Sequence, residues 1–124
     1  MRPLVGTLFE VYKKELDVYR QVLAAASEEK AALEKDKPLA DIIASLKNKR
    51  ALIRVIESLD GSILKEKEQF KARKSAMNIK ETQELNDIIE STRNVIEQII
   101  SVEKENEEII LRSEGFLSSI QTAG

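Results

Sequence analysis

The side chains in this sequence that could do chemistry are carboxylates. Glu28 and Glu29, Glu103, Glu105, Glu107 with Glu108, and Glu114 offer adjacent or helix-spaced acidic pairs. A glycoside-hydrolase type of reaction needs two carboxyls facing each other across a cleft. A helical di-iron centre needs inward glutamates together with a Glu-x-x-His motif. The chain has no His and no Cys, which removes the usual acid–base side chain, thiol nucleophiles and most zinc, haem and iron–sulfur ligation. Most of these glutamates lie off the apolar stripes traced below, so they read as a solvated face with helix-spaced Lys partners. The sequence therefore reads as non-catalytic, with no cofactor and no metal.

The run Lys65, Lys67, Lys71, Arg73 and Lys74 is locally basic. A nucleic-acid surface would interleave more basic residues with aromatics. The run reads instead as a helix C-terminus whose cations complement the helix dipole. Net charge is −2 with both signs interspersed, so bulk attraction to nucleic acid or anionic lipid is not expected. No stretch of roughly 18 apolar residues is present to span a bilayer. Met1-Arg2-Pro3-Leu4 passes quickly into Glu10, Lys13, Lys14 and Glu15, which does not read as a signal peptide.

These residues must be carried by long helices. The 124 residues suit one domain, 42% are hydrophobic, and Gly and Pro are scarce. Val5, Phe9, Tyr12, Leu16, Tyr19, Leu23, Ala26, Lys30 and Leu33 alternate spacings of three and four, and so share one helix face, which Leu8, Val18, Val22 and Ala25 widen as a helix buried against two neighbours requires. Pro3 suits a first turn, and Pro38 disfavours helix at Lys37. A second stripe runs Leu39, Ile42, Leu46, Lys49, Ile53, Ile56, Asp60, Ile63, Lys67 and Phe70. It stays in phase across Asp60-Gly61, which predicts one continuous helix carrying a glycine. The third opens at Asn78, read as an N-cap with Glu81 in the first turn. It continues through Leu85, Ile88, Thr92, Val95, Ile99, Val102, Asn106, Ile109, Ser113, Phe116 and Ile120.

The expectation is a single all-α domain over 1–124, an antiparallel up-down-up bundle of three long helices with coiled-coil-like packing. Its helices span about 3–36, 39–74 and 78–120. A continuous third helix outruns its neighbours by about seven to nine residues, on the order of 12 Å. That overhang carries Phe116, Leu117 and Ile120. Either a partner covers them, or Gly115 breaks the helix and the last residues fold back. Asn106, in the apolar seam, either fixes register from a buried position or lies exposed where a partner docks.

Two stretches resemble the FlgN-type flagellar export chaperones. The first runs from Leu39 through Leu46-Lys47-Asn48-Lys49-Arg50-Ala51-Leu52 to Leu59. It is similar to that family's second helix, with charged residues before a small-residue–Leu step. The second is Glu105-Asn106-Glu107-Glu108-Ile109-Ile110, similar to a late helix with an Asn followed by paired aliphatics. The longer polar tail often seen in the family is missing here. The resemblance implies a small cytoplasmic helical protein that holds hook-associated subunits before type III export. It implies a partner-binding role for Asn106, Ile109, Ile110, Phe116, Leu117 and Ile120. The alternative reading is a self-associating coiled-coil structural or adaptor module, a homo-oligomer formed through the same apolar face.

Overall fold

The computed structural model describes the backbone of residues 2–123 and the side chains of residues 4–80 and 82–112. It is all-α, with α1 (Arg2–Glu34), α2 (Leu39–Ser62), α3 (Leu64–Arg73), a 3-10 turn at Lys74–Ala76, and α4 (Ile79–Ala123). No described helix is long and apolar enough to cross a membrane.

Local chemistry sets the ends. At the close of α1, Asp36 takes a left-handed φ of 52°. The Asp36 N–H donates to Leu33 O (3.4 Å) and the Lys37 N–H to Ala32 O (2.9 Å). These two bonds form a Schellman cap, satisfying carbonyls that the helix leaves free. Pro38 then caps α2 in an extended conformation, φ −53° and ψ 146°, with Asp41 in the first turn where the dipole favours an acid. At the start of α4, Asn78 Oδ1 accepts the Lys80 N–H (2.9 Å), so the N-cap forms as its residue type dictates. The Glu81 side chain expected beside it lies outside the described residues.

The second stripe is not one helix. Gly61 itself remains helical in the last turn of α2, and the break falls at Ile63, with φ −120° and ψ 18°. The Ile63 N–H falls back to Asp60 O (3.3 Å), and Lys67 N–H donates to Ile63 O (2.9 Å) to start α3. The Ile63 side chain is a core plug, packed with Leu8 and Leu85. The stripe keeps its phase across the break because the elbow displaces less than a turn and leaves Ile63 pointing inward. Four α-helices therefore stand where three were expected.

Among the described residues α1 is central. Both α2 and α4 pack along it, and α3 joins its N-terminal part, whereas α2 and α4 scarcely approach each other's backbones. Leu8 meets Ile63 while Glu29 meets Lys49, so α2–α3 runs opposite to α1. Leu8 meets Leu85 while Glu29 meets Asn106, so α4 runs alongside α1 in the same direction. That register sets Glu34 roughly level with Leu111. α4 continues through Gly115 to Ala123, about twelve residues or roughly 18 Å further.

The buried face of α1 is centred on Leu8, Glu15, Val22 and Glu29, with Leu16, Ala25 and Ala26 beside them. Phe9, Tyr12, Tyr19, Leu23 and Lys30, expected at the centre of the stripe, flank it half-buried. A seven-residue step returns nearly to the same face, so Glu15 sits between Leu8 and Val22 on it, and Glu29 follows Val22 one step further.

Candidate functional site

Glu29, on the α1 seam, is 1% exposed. The sequence places it on a solvated face, and the structure corrects that. It survives burial because α2 brings Lys49 to it. The Lys49 ammonium donates to Glu29 Oε2 and to both Glu103 oxygens from α4, at 2.8 and 2.9 Å. Burial pulls the Lys49 pKa down, but the hydrogen bonds to Glu103 and Glu29 outweigh it, and the ammonium is held above the ordinary lysine range. Asn106 Nδ2 donates to Ala26 O (3.1 Å), Glu103 Oε1 (3.3 Å) and Glu29 Oε2 (3.4 Å). Its own Oδ1 is buried with no hydrogen-bond partner. One polar layer thus ties α1, α2 and α4 together. On the flank, Lys30 pairs with Glu105 and, at 3.8 Å, with Glu34.

Above this layer the walls of α2 and α4 diverge into a groove of about 500 Å³. Leu46 and Lys49 form the α2 side, Ile99, Ile100, Ile110 and Leu111 the apolar α4 side, and Glu29 and Asn106 the floor. Ile100 and Leu111 are half exposed to solvent. The same α4 face continues toward its N-terminus. Thr92 stands one heptad before Ile99, and Arg93 one heptad before Ile100. These two join Tyr12, Glu15, Tyr19, Ile89 and Ile96 around a second cavity of about 290 Å³. The charges across the groove are unequal. From Ile42 to Ile56 the α2 wall carries Lys47, Lys49, Arg50 and Arg54 and no acid. From Glu97 to Glu108, α4 carries five glutamates against the single Lys104.

No protein-family model, curated protein or solved structure matches the chain. The chemistry of the groove is therefore read from its own residues. It holds no thiol or imidazole. Among the described residues no three His, Cys, Asp or Glu side chains are grouped to hold a metal ion. The buried Lys49 cation is already bound by two carboxylates. What remains available is apolar wall area with charged rims, which suits docking of another apolar surface.

The six residues expected to bind a partner divide. Asn106 is 2% exposed and acts at the groove floor, as the register-setting alternative implies. Ile110 lies on the groove wall. Ile109 is half-buried beside it. The side chains of Phe116, Leu117 and Ile120 lie outside the described residues. Sequence reasoning misses Leu46, Ile99, Ile100 and Leu111 as groove residues, and Glu29, Lys49 and Glu103 as its foundation. The heptad 8–15–22–29 carries a signal for the buried glutamates, since Leu8 and Val22 bracket Glu15 at equal steps.

Proposed function

We propose that this protein is a non-catalytic binding protein that takes an amphipathic helix of another protein into the α2–α4 groove. One observation carries the reading. α2 and α4 each pack along α1 and join each other through the Lys49–Glu103 pair, leaving an apolar channel between them above a polar floor. A helix laid there completes a four-helix bundle, on the reading of the chain as an up-down-up bundle with coiled-coil-like packing. Its occupied length, from Ile99 to Leu111, is about 18 Å, or between three and four turns. The unequal walls select a partner helix with acidic residues on the flank facing Lys47, Arg50 and Arg54, and basic residues on the flank facing Glu97, Glu107 and Glu108.

Resemblance to the FlgN-type export chaperones supplies a candidate partner and setting. The partner would be a hook-associated flagellar subunit, held in the cytoplasm before type III export. The same resemblance would give a partner-binding role to Phe116, Leu117 and Ile120, on the part of α4 whose backbone continues past the end of α1. The test is light scattering coupled to size exclusion, on the chain alone and mixed with hook-associated proteins. A monomer that shifts to a defined complex, with the shift lost in Phe116→Ala/Ile120→Ala and in Ile100→Glu, supports the reading. A stable homo-oligomer indifferent to those proteins overturns it in favour of a self-associating module.

A further inference from the structure

The second glutamate on the α1 seam is placed differently from the first. Glu15 is 5% exposed, and its Oε1 is buried with no hydrogen-bond partner. It lines the second cavity, of about 290 Å³, together with Tyr12 and Tyr19 of its own helix. Positions 12, 15 and 19 share one face because they are spaced by three and four. The same spacing on α4 brings Ile89, Thr92, Arg93 and Ile96 to the cavity. Each cation nearby already has a carboxylate. Lys67, 5.7 Å from the centre of the Tyr12 ring, donates to Asp60 Oδ1 at 2.5 Å. Arg93 is turned to Glu90 at 3.4 Å. Glu29 has the Lys49 ammonium, but among the described residues Glu15 takes part in no ion pair.

We infer that this cavity is a binding site for an alkylammonium group, of the kind that ends a lysine side chain, with Glu15 as the carboxylate that receives it.

A buried carboxylate is costly unless a cation meets it, and the walls around Glu15 suit a cation supplied from outside. Tyrosine rings attract a cation over their faces. The Thr92 hydroxyl donates to Ile88 O (2.8 Å), which leaves its oxygen as a further acceptor. Ile89 and Ile96 offer apolar surface to a methylene stem. An ammonium is a compact point charge that one oxygen can bind, whereas a guanidinium fork is matched by two. Burial, the largest influence, pushes the Glu15 carboxyl up to about 7 from 4.5, and an incoming cation favours its ionised form. Burial also raises both tyrosines above the ordinary phenol value, so neither offers a rival negative charge near neutral pH. The cavity continues the α4 face of the groove. The ammonium can therefore come from a lysine of a helix lying in the groove or from a free amine.

The experiment titrates the whole protein with n-butylamine, which reproduces the end of a lysine side chain, at matched ionic strength. Amide and Glu15 carboxyl shifts are followed by NMR. Saturable shifts centred on residues 12–19 and 89–96 are expected. Affinity should rise about tenfold from pH 6 to pH 8, as Glu15 ionises while the amine stays charged. n-Butanol should produce no such shifts, and Glu15→Gln should abolish them. Arg93→Gln, at an exposed position, removes a competing cation and should tighten binding. No saturable shift, equal binding of n-butanol, or binding that survives Glu15→Gln overturns the site. So does an affinity that falls as pH rises, or weaker binding in Arg93→Gln. Should Glu15→Gln fail to fold, the n-butanol and Arg93→Gln comparisons decide alone. This arm uses no partner protein, so its outcome is separate from that of the groove reading. A second arm repeats the titration on a complex with a hook-associated protein. Loss of amine binding there assigns the ammonium to a lysine of the docked helix, and retention assigns it to a free amine.

Discussion

Lys49 reaches Glu29 from a neighbouring helix, and the two side chains are 9% and 2% exposed. The pair forms the centre of the layer that joins α1, α2 and α4, since the same ammonium also binds Glu103. Breaking a buried pair on one side is expensive because the other charge is left behind, at about 3 kcal/mol or more. Lys49→Met should therefore cost about 3 kcal/mol in urea unfolding. Adding Glu29→Gln to that variant should recover a large part of the loss. A cost below about 1 kcal/mol for the single variant, the range of an exposed pair, would show the layer to be well hydrated instead.

Glu15 makes a prediction about global stability. Its folded pKa, about 7, lies above the value of 4.5 expected without these neighbours. The folded state therefore binds more protons than the unfolded one between those values, and stability contributed by Glu15 is lost as pH rises through that window. Asp60, held low by Lys67, contributes with the opposite sign, losing its stabilisation as pH falls below the ordinary aspartate range. Denaturation curves at pH 5 and pH 8 should show wild type less stable at pH 8, relative to Glu15→Gln. No difference between the two proteins would remove the buried-acid account.

Asp36 and Gly61 are each conformationally mismatched to their sites, in opposite senses. Asp36 adopts φ 52°, which costs a residue with a Cβ about 1 kcal/mol. Gly61 is helical, and a Cβ added there would meet nothing within 4 Å. Asp36→Gly and Gly61→Ala should each raise stability, by roughly 0.5–1 kcal/mol, in thermal or urea unfolding. A loss in Gly61→Ala would mean that the elbow uses the glycine's freedom.

Ile100 is half exposed on the groove wall. Replacing it with Glu should alter unfolding free energy by no more than about 0.5 kcal/mol while abolishing partner binding measured by light scattering. An equal loss of folding and binding would place Ile100 in the core.

The sequence by itself determined the helices, the turn around Lys35–Pro38 and the cap at Asn78. Each depends on residues within a turn or two of one another: three-and-four periodicity, a proline's missing N–H, an Asn oxygen within reach of a neighbouring amide. The widened stripe of α1 already held its buried apolar residues, Leu8, Leu16, Val22, Ala25 and Ala26; tertiary structure alone decided that Glu15 and Glu29 are buried among them. Hydrophobicity places a core by its apolar residues, and Glu15, Glu29 and Lys49 run against that signal. The burial of Glu29 and Lys49 is tolerable only because their partners come from other helices, with Glu29 and Glu103 lying 20 and 54 residues from Lys49 along the chain. The elbow at Ile63 is equally non-local, since Ile63 is held by Leu8 and Leu85 and the spacing of its own helix stays in phase. The groove follows from the same cause. Stripes on separate helices show what each can bury, but only packing decides that α1 receives both α2 and α4 and leaves the walls between them open.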